Sequence, residues 1–437
     1  MFDEVHDSGT HNLGTARGGY ATCNEYDAPY IHPPAPHGRL ACKSAAMSQF
    51  ADYQNEIYLA ALGGHLPEFP MDYATLERKA TAALPDTLLN YIAGGAGDEL
   101  TQRRNADAFA DWGLVPRMFV GATERDLSVT AFGHTFASPL FLAPVGVIGL
   151  ATGDRHGDIA VAQASARTGV PAMYSTLMED PLEEVVPHAG DTPSFFQLYT
   201  PKNRELAESL VHRAEAAGYA GITVTLDTWV PGWRPRDLAS GNFPQLRGHV
   251  LKNYTSDPVF RAMVGSDDPK MIVLHWVATF GHSLTWDDLT WLRSLTDLPL
   301  ILKGISHPDD ARRALDLGAD GIYCSNHGGR QANGGLSALE TLPEVAEAVD
   351  GRVPVLFDSG VRSGADVVKA LGLGATMVGL GRPYVYGLAL GGVPGLVHLL
   401  RGYLAEADLL LAVNGYRDVA AVRENIRPTT SGRSARG

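Results

Sequence analysis

The chain has 437 residues, with 45% hydrophobic and 19% charged content, which is ample material for a globular core. Asp and Glu number 49 against 35 for Lys and Arg, and this net charge of -14 argues against general binding to nucleic acid or anionic membrane, both of which want a basic face. No stretch approaches the roughly 18 apolar residues of a membrane span.

Residues 1–46 are rich in Gly, Ala, His, Pro and Thr without helical or strand period, so they read as a disordered leader or a tag, followed by a single domain over 47–437. The N-terminus shows no basic segment followed by an apolar run, so no secretory signal is read there and a cytoplasmic enzyme is expected. Cys23, Cys42 and Cys324 have no metal-ligand spacing and suit a reducing compartment, with Cys324 in a buried strand. Helices are predicted over 73–84 and 85–93, stopped by Gly94-Gly95, as an N-terminal helical extension. From Pro139 a repeat sets in. Short apolar runs predict strands at 140–143, 171–174, 194–198, 221–226, 299–302, 320–324, 353–357 and 375–379. Helical segments alternate with them near 155–168, 181–187, 202–217, 286–296, 308–317, 337–349 and 364–371, with a last one at about 386–404. Eight strand–helix units in this order predict an α/β fold of the (β/α)8 TIM-barrel type; the dinucleotide fingerprint GxGxxG of an open doubly wound sheet is absent. The connection after strand four, Trp229 to about Thr285, is long enough to be a lid or binding segment, and Trp233, Arg234, Pro235 and Arg236 stand at its start.

A barrel of this kind keeps its chemistry at the C-terminal ends of its strands. Strand six ends in Ser325-Asn326-His327-Gly328-Gly329-Arg330-Gln331. His327 could take a proton near neutral pH, and Arg330 could clamp a carboxylate with two parallel hydrogen bonds. Strand four ends at Asp227, which could orient His327 or simply cap a turn. Strand five ends at Lys303, readable as a Schiff-base lysine, a cation beside a cofactor, or a snorkelling surface residue. Gln197 and Tyr199, at the end of strand three, could face a ligand or fill the barrel. Gly360 and Arg362 follow strand seven, and Gly381 and Arg382 follow strand eight. Those pairs suit a phosphate, or else are ordinary turns. P-loop, HExxH and GxSxG motifs are missing, so nucleotide hydrolysis, zincin and serine-hydrolase chemistry lack support. Asn253-Tyr254-Thr255 matches a glycosylation sequon and carries little weight.

The sequences SNHGGRQ, LILKG, FQLY, TLDT, DSGVRSGADVVKAL and GLGRP together resemble the FMN-dependent L-2-hydroxy-acid oxidases and dehydrogenases, from about Asp52 to Arg427. Within that family DYQNEIY, AGGAGDE, ATERDLSV and TLDTWVPGWRPRDL are similar to the lactate 2-monooxygenase subgroup. The resemblance implies FMN as cofactor, and a small 2-hydroxy acid and dioxygen as substrates. It gives His327 as the base, Asp227 as its orienter, and Arg330, Arg234 and Tyr91 on the substrate carboxylate. Tyr199 would bond the substrate oxygen, and Lys303 would be the cation beside the flavin. Val145, Gly146, Ser175, Gln197 and Thr225 would hold the ring system, Asp358 the ribityl chain, and Gly360, Arg362, Gly381 and Arg382 the phosphate. A homo-oligomer, tetramer or octamer, is implied on the same ground. Two departures from the subgroup, Leu177-Met178-Glu179 after strand two and a shorter connection after strand four, bear on substrate choice and product retention. The competing expectations are an oxidase that releases the 2-oxo acid and hydrogen peroxide, and a colourless isomerase or aldolase working through Lys303.

Overall fold

Eight short strands close into a parallel barrel in a computed structural model that describes residues 49–429; the leader read over 1–46 lies outside the described residues. The barrel strands are β1 Leu140–Leu142, β2 Ala172–Ser175, β3 Ser194–Leu198, β4 Ile222–Thr225, β5 Leu300–Ile305, β6 Gly321–Cys324, β7 Val355–Phe357 and β8 Met377–Leu380. Each pairs with the next, and β8 returns to β1 through Val378↔Leu140. Nearly every strand residue is buried, as befits a parallel sheet covered on both faces, and this is why the strands read as continuous apolar runs. Alternate side chains (Phe141, Met173, Phe195, Ile301, Tyr323, Leu356 and Met377) fill the interior as a packed core. The hairpin Val129–Ala131/His134–Phe136, absent from the sequence expectation, packs Ala131, Phe132 and Phe136 on that cluster.

Helices α1 Gly157–Thr168, α2 Leu182–Val185, α3 Arg204–Ala216, α4 Trp286–Arg293, α5 Pro308–Asp316, α6 Ala338–Val349 and α7 Gly364–Gly372 follow the first seven strands. After β8, α8 runs from Arg382 to Asn414, longer than the sequence indicates, and breaks at Gly391-Gly392. Ahead of the barrel lie helices Asp52–Leu62, Tyr73–Ala83, Asp86–Ala93 and Leu100–Asp107, of which the middle two were legible in the sequence.

The long connection after β4 is structured rather than an open loop. It holds helices Pro235–Ser240, Lys252–Thr255, Pro258–Val264 and Pro269–Thr279. Three of these begin with proline in the first turn, and Asp257 and Asp268 cap theirs by accepting from backbone N–H groups. Asp257 also accepts from Arg213 Nη1 at 2.9 Å, which ties the insertion to α3. Asn253 is fully buried; it accepts from Leu182 N–H at 2.8 Å and donates to the Thr176 carbonyl at 3.0 Å. The sequon is therefore a structural joint.

Candidate active site

Strand register brings the chemistry together. Thr225 pairs with Lys303 and Lys303 with Tyr323, and the β5–β6 ladder slips between Lys303 and Ile305. The slip falls at Gly304, whose φ of 110° suits glycine; a Cβ there would stand 3.2 Å from that of Asp227. Asp227 thus sits two residues beyond β4, between Lys303 and the loop after β6.

In that loop His327 takes a left-handed conformation, φ 58°, and Gly328 and Gly329 follow it at 64° and 72°. Gly329 N–H donates to the Asn326 side chain, and Asn326 and Asn105 exchange reciprocal side-chain bonds of 2.8 Å. Asn105 lies on helix Leu100–Asp107, so a helix that the sequence did not reveal braces the His327 loop. A strained residue held by several contacts is what a positioned catalytic group requires.

His327 Nδ1 lies 2.8 Å from Asp227 Oδ1 and 3.1 Å from Thr228 Oγ1, and Thr228 spends its own hydroxyl hydrogen on Asp227 Oδ1 at 2.8 Å. Both neighbours of Nδ1 are therefore acceptors. Nδ1 carries the hydrogen, and the lone pair stands on Nε2. Burial works to raise the Asp227 pKa, but His327 and then Lys303 outweigh it and hold the carboxyl well below the usual range. Burial, only partly opposed by Asp227, lowers the pKa of His327, so the ring is neutral at pH 7. Lys303 donates to Ser325 Oγ at 2.9 Å and stands 4.0 Å from Asp227 Oδ2, an oxygen without a hydrogen-bond partner.

Beside His327, two arginines flank the buried ring of Tyr91, with Arg330 Cζ 5.0 Å and Arg234 Cζ 5.6 Å from its centroid. Arg330 donates to the carbonyls of Gly94 at 2.6 Å and Ile92 at 3.3 Å; burial, with the charge of Arg234, lowers its pKa to about 10, so it stays charged. Arg234 is 5% exposed and has its Nη1 unbonded. Burial keeps the Tyr199 phenol protonated far above neutrality, as a donor.

One cavity collects the predicted substrate-side residues His327, Lys303, Tyr199, Tyr91, Arg234 and Arg330, with Asp227 behind His327. The same cavity is lined by Val145, Gly146, Asp358 and Gly360, and by Arg362, Gly381 and Arg382. Five of the lining side chains are cationic and one, Asp358, is a carboxylate, in a protein whose net charge is -14. Asp358 accepts from Tyr323 OH at 2.7 Å and Ser359 Oγ at 2.8 Å. Arg362 stacks over Tyr73, with Cζ 4.6 Å from the ring centroid. Arg382 turns to the carbonyls of Ile92, Gly94 and Gly328 and to Gln102, and burial lowers its pKa to about 9. Ser175, Gln197 and Thr225 stand apart from the lining: Ser175 Oγ donates to Gln197 Oε1 and Gln197 Nε2 donates to Thr225 Oγ1, each at 2.9 Å.

Sequence reasoning missed the aromatic wall. Rings of Tyr91, Phe243, Trp276, Phe280 and Tyr199 follow one another with centroids 6.0, 6.5, 4.9 and 5.4 Å apart, and all five line the cavity. The middle three come from the insertion, where a lone aromatic carries no sequence signal of facing a site. Leu177, one of the departures noted above, also lines the cavity, whereas Met178 is core.

A model of the FMN-dependent dehydrogenase family matches residues 80–428. The chain belongs to this family. An FMN-dependent alpha-hydroxy acid dehydrogenase of Penicillium citrinum is 40% identical over 379 residues, covering 85% of this chain and 94% of that protein. An L-lactate oxidase of Lysinibacillus sphaericus is 38% identical over 356 residues, 81% of this chain and 92% of its own length. Among solved structures, a mandelate oxidase with (S)-4-hydroxymandelic acid superposes with a TM-score of 0.74 at 35% identity, covering 82% of this chain and 99% of that one. A lactate oxidase from Pediococcus acidilactici gives 0.74 at 34% identity, over 82% and 95%.

As in the rest of the FMN-dependent dehydrogenase family, the cofactor is FMN and the reaction class is oxidation of an alpha-hydroxy acid. The cavity fits that group. Its excess of buried cations suits a phosphate and a substrate carboxylate together. A Cβ at Gly381 would meet no protein atom within 4 Å, so the end of β8 offers an open cradle beside Arg382.

Proposed function

We propose that the chain is an L-lactate 2-monooxygenase: it converts L-lactate and dioxygen to acetate, carbon dioxide and water within one enclosed site. The observation that carries the chemistry is the neutral, Asp227-oriented His327 beside two arginines in a cavity partly lined by the insertion.

Arg330 and Arg234 bind the substrate carboxylate across Tyr91, and Tyr199 donates to a substrate oxygen. His327 Nε2 takes the substrate's proton, and the resulting imidazolium is stabilised by Asp227. When bound, FMN would supply a two-electron acceptor for the hydride equivalent and a route for those electrons to dioxygen, and the proton held on His327 would complete hydrogen peroxide. Asp358 and the backbone at Gly360 and Gly381 would hold it, with Arg362 and Arg382 on its phosphate, Val145 and Gly146 against its rings, and Lys303 as the nearby cation. Pyruvate held behind the insertion reacts with the peroxide, losing carbon dioxide to give acetate and water. The enzyme is proposed to act in the cytoplasm and, following the resemblance, as a homo-oligomer, tetramer or octamer.

The aromatic wall favours a second reading, in which the substrate carries a larger apolar or aryl side chain and the 2-oxo acid leaves with free peroxide. One product assay separates the two. With catalase present, L-lactate is expected to yield acetate; pyruvate would make the enzyme an oxidase, and turnover of mandelate without lactate would move the substrate to the aryl class.

Arg330→Lys is expected to weaken substrate binding about tenfold or more, since an ammonium cannot keep the Gly94 carbonyl and fork a carboxylate at once. An unchanged KM would remove Arg330 from carboxylate binding.

A further inference from the structure

Gln331, the last residue of the SNHGGRQ run, has no role in the reading above, yet its side-chain amide makes all four of its hydrogen bonds to one short stretch. Oε1 accepts from Arg234 Nη2 at 2.7 Å and from Gly232 N–H at 3.3 Å. Nε2 donates to the carbonyls of Asp227 at 2.8 Å and Val230 at 2.9 Å. Two obligate donors on one side and two carbonyls on the other fix which way the amide points. The stretch is pressed closely onto the His327 loop: a Cβ on Gly232 would fall 2.4 Å from the Arg330 carbonyl oxygen.

For Arg234 this leaves a specific state. Nε donates to the Arg330 carbonyl at 3.2 Å and Nη2 to Gln331, so the plane of the guanidinium is set by two bonds. Both acceptors are uncharged. Nη1 is buried and unbonded, and the nearest carboxylate, Asp237, stands 3.9 Å away without a hydrogen bond to it. A glutamate at 331 would still offer an acceptor to Arg234, but it would neutralise the fork and would turn an anionic oxygen toward the Asp227 and Val230 carbonyls in place of an N–H donor.

We propose that Gln331 is a positioning residue that aims Arg234 with a neutral acceptor, adding no counter-charge of its own beyond the Asp237 carboxylate 3.9 Å away, so that Arg234 keeps charge for the carboxylate of the substrate. This rests on the function proposed above, in which Arg234 meets that carboxylate.

The test uses the FMN-loaded enzyme and two ligands that cannot be oxidised because they lack an α-hydrogen: 2-hydroxy-2-methylpropanoate and its neutral amide. Binding is read from the shift in the flavin absorption band. In Gln331→Glu, affinity for the anion is expected to fall at least about tenfold, while affinity for the amide moves less than threefold and FMN stays bound. Gln331→Met, which removes the bonds without adding charge, is expected to weaken both ligands by similar factors. Equal losses for anion and amide in Gln331→Glu, or no loss, would overturn the proposal, and so would an enzyme that loses FMN on that substitution. Failure of the unsubstituted enzyme to bind the anion at all would instead overturn the proposed function, and this inference with it.

Discussion

His327→Gln is expected to retain FMN and to oxidise its substrate slower by about 10²–10⁴-fold, the usual cost of deleting a general base. Glutamine can still donate to Asp227 from the place of Nδ1, so the cavity keeps its shape, but it offers no basic nitrogen where Nε2 stood. The readout is anaerobic bleaching of the flavin on mixing with substrate. An unchanged rate would remove His327 from proton abstraction. The pH dependence of the unsubstituted enzyme has a defined sign. Burial puts the His327 pKa below the ordinary value of 6.5, and the neutral ring is the active form. The rate should therefore be level through pH 7 and fall only on acidification below 6.5. A limb above that value would mean that another group titrates.

The barrel was legible in the sequence because strands buried on both faces leave continuous apolar runs, and Val355–Phe357 or Leu140–Leu142 cannot be mistaken for exposed segments. Its catalytic face was legible for a related reason: a polar residue directly after such a run, as with Asp227, Lys303 or Asp358, has only the strand ends to occupy. Depth narrows the alternatives left open at Lys303, and geometry those at Asp227. Lys303 is 2% exposed, so it is no surface lysine, and Asp227 faces the His327 ring.

What stayed hidden depends on partners distant in the chain. Helix Leu100–Asp107 is polar apart from Leu100 and Ala106, and it begins after Glu99 in a left-handed conformation without a side-chain cap. Nothing local announces it, yet Asn105 and Gln102 brace the His327 loop and Arg382 from there. The insertion gave a length but no architecture. Its role in the cavity comes from Phe243, Trp276 and Phe280 meeting across 37 residues of sequence, a convergence that only packing reveals. Of the two residues at the end of β3, Tyr199 lines the cavity, while Gln197 bonds Ser175 and Thr225.

Asp227→Asn is expected to lower the rate by roughly two to four orders of magnitude, and its pH profile tells how. If the amide presents its N–H₂ to His327 Nδ1, the ring hydrogen moves to Nε2 and the basic lone pair faces away from the substrate. If it presents its oxygen, the tautomer survives, but the imidazolium forms without a counter-charge while Lys303 loses the carboxylate 4.0 Å away. Either arrangement slows proton transfer. Both also remove the charge that opposes burial at His327, so the acid limb should move to lower pH as the plateau falls. That pairing is diagnostic, because a substitution that merely loosened the site would lower the plateau and leave the limb in place. A limb that moved up, or stayed where it was, would mean that Asp227 does not act through His327.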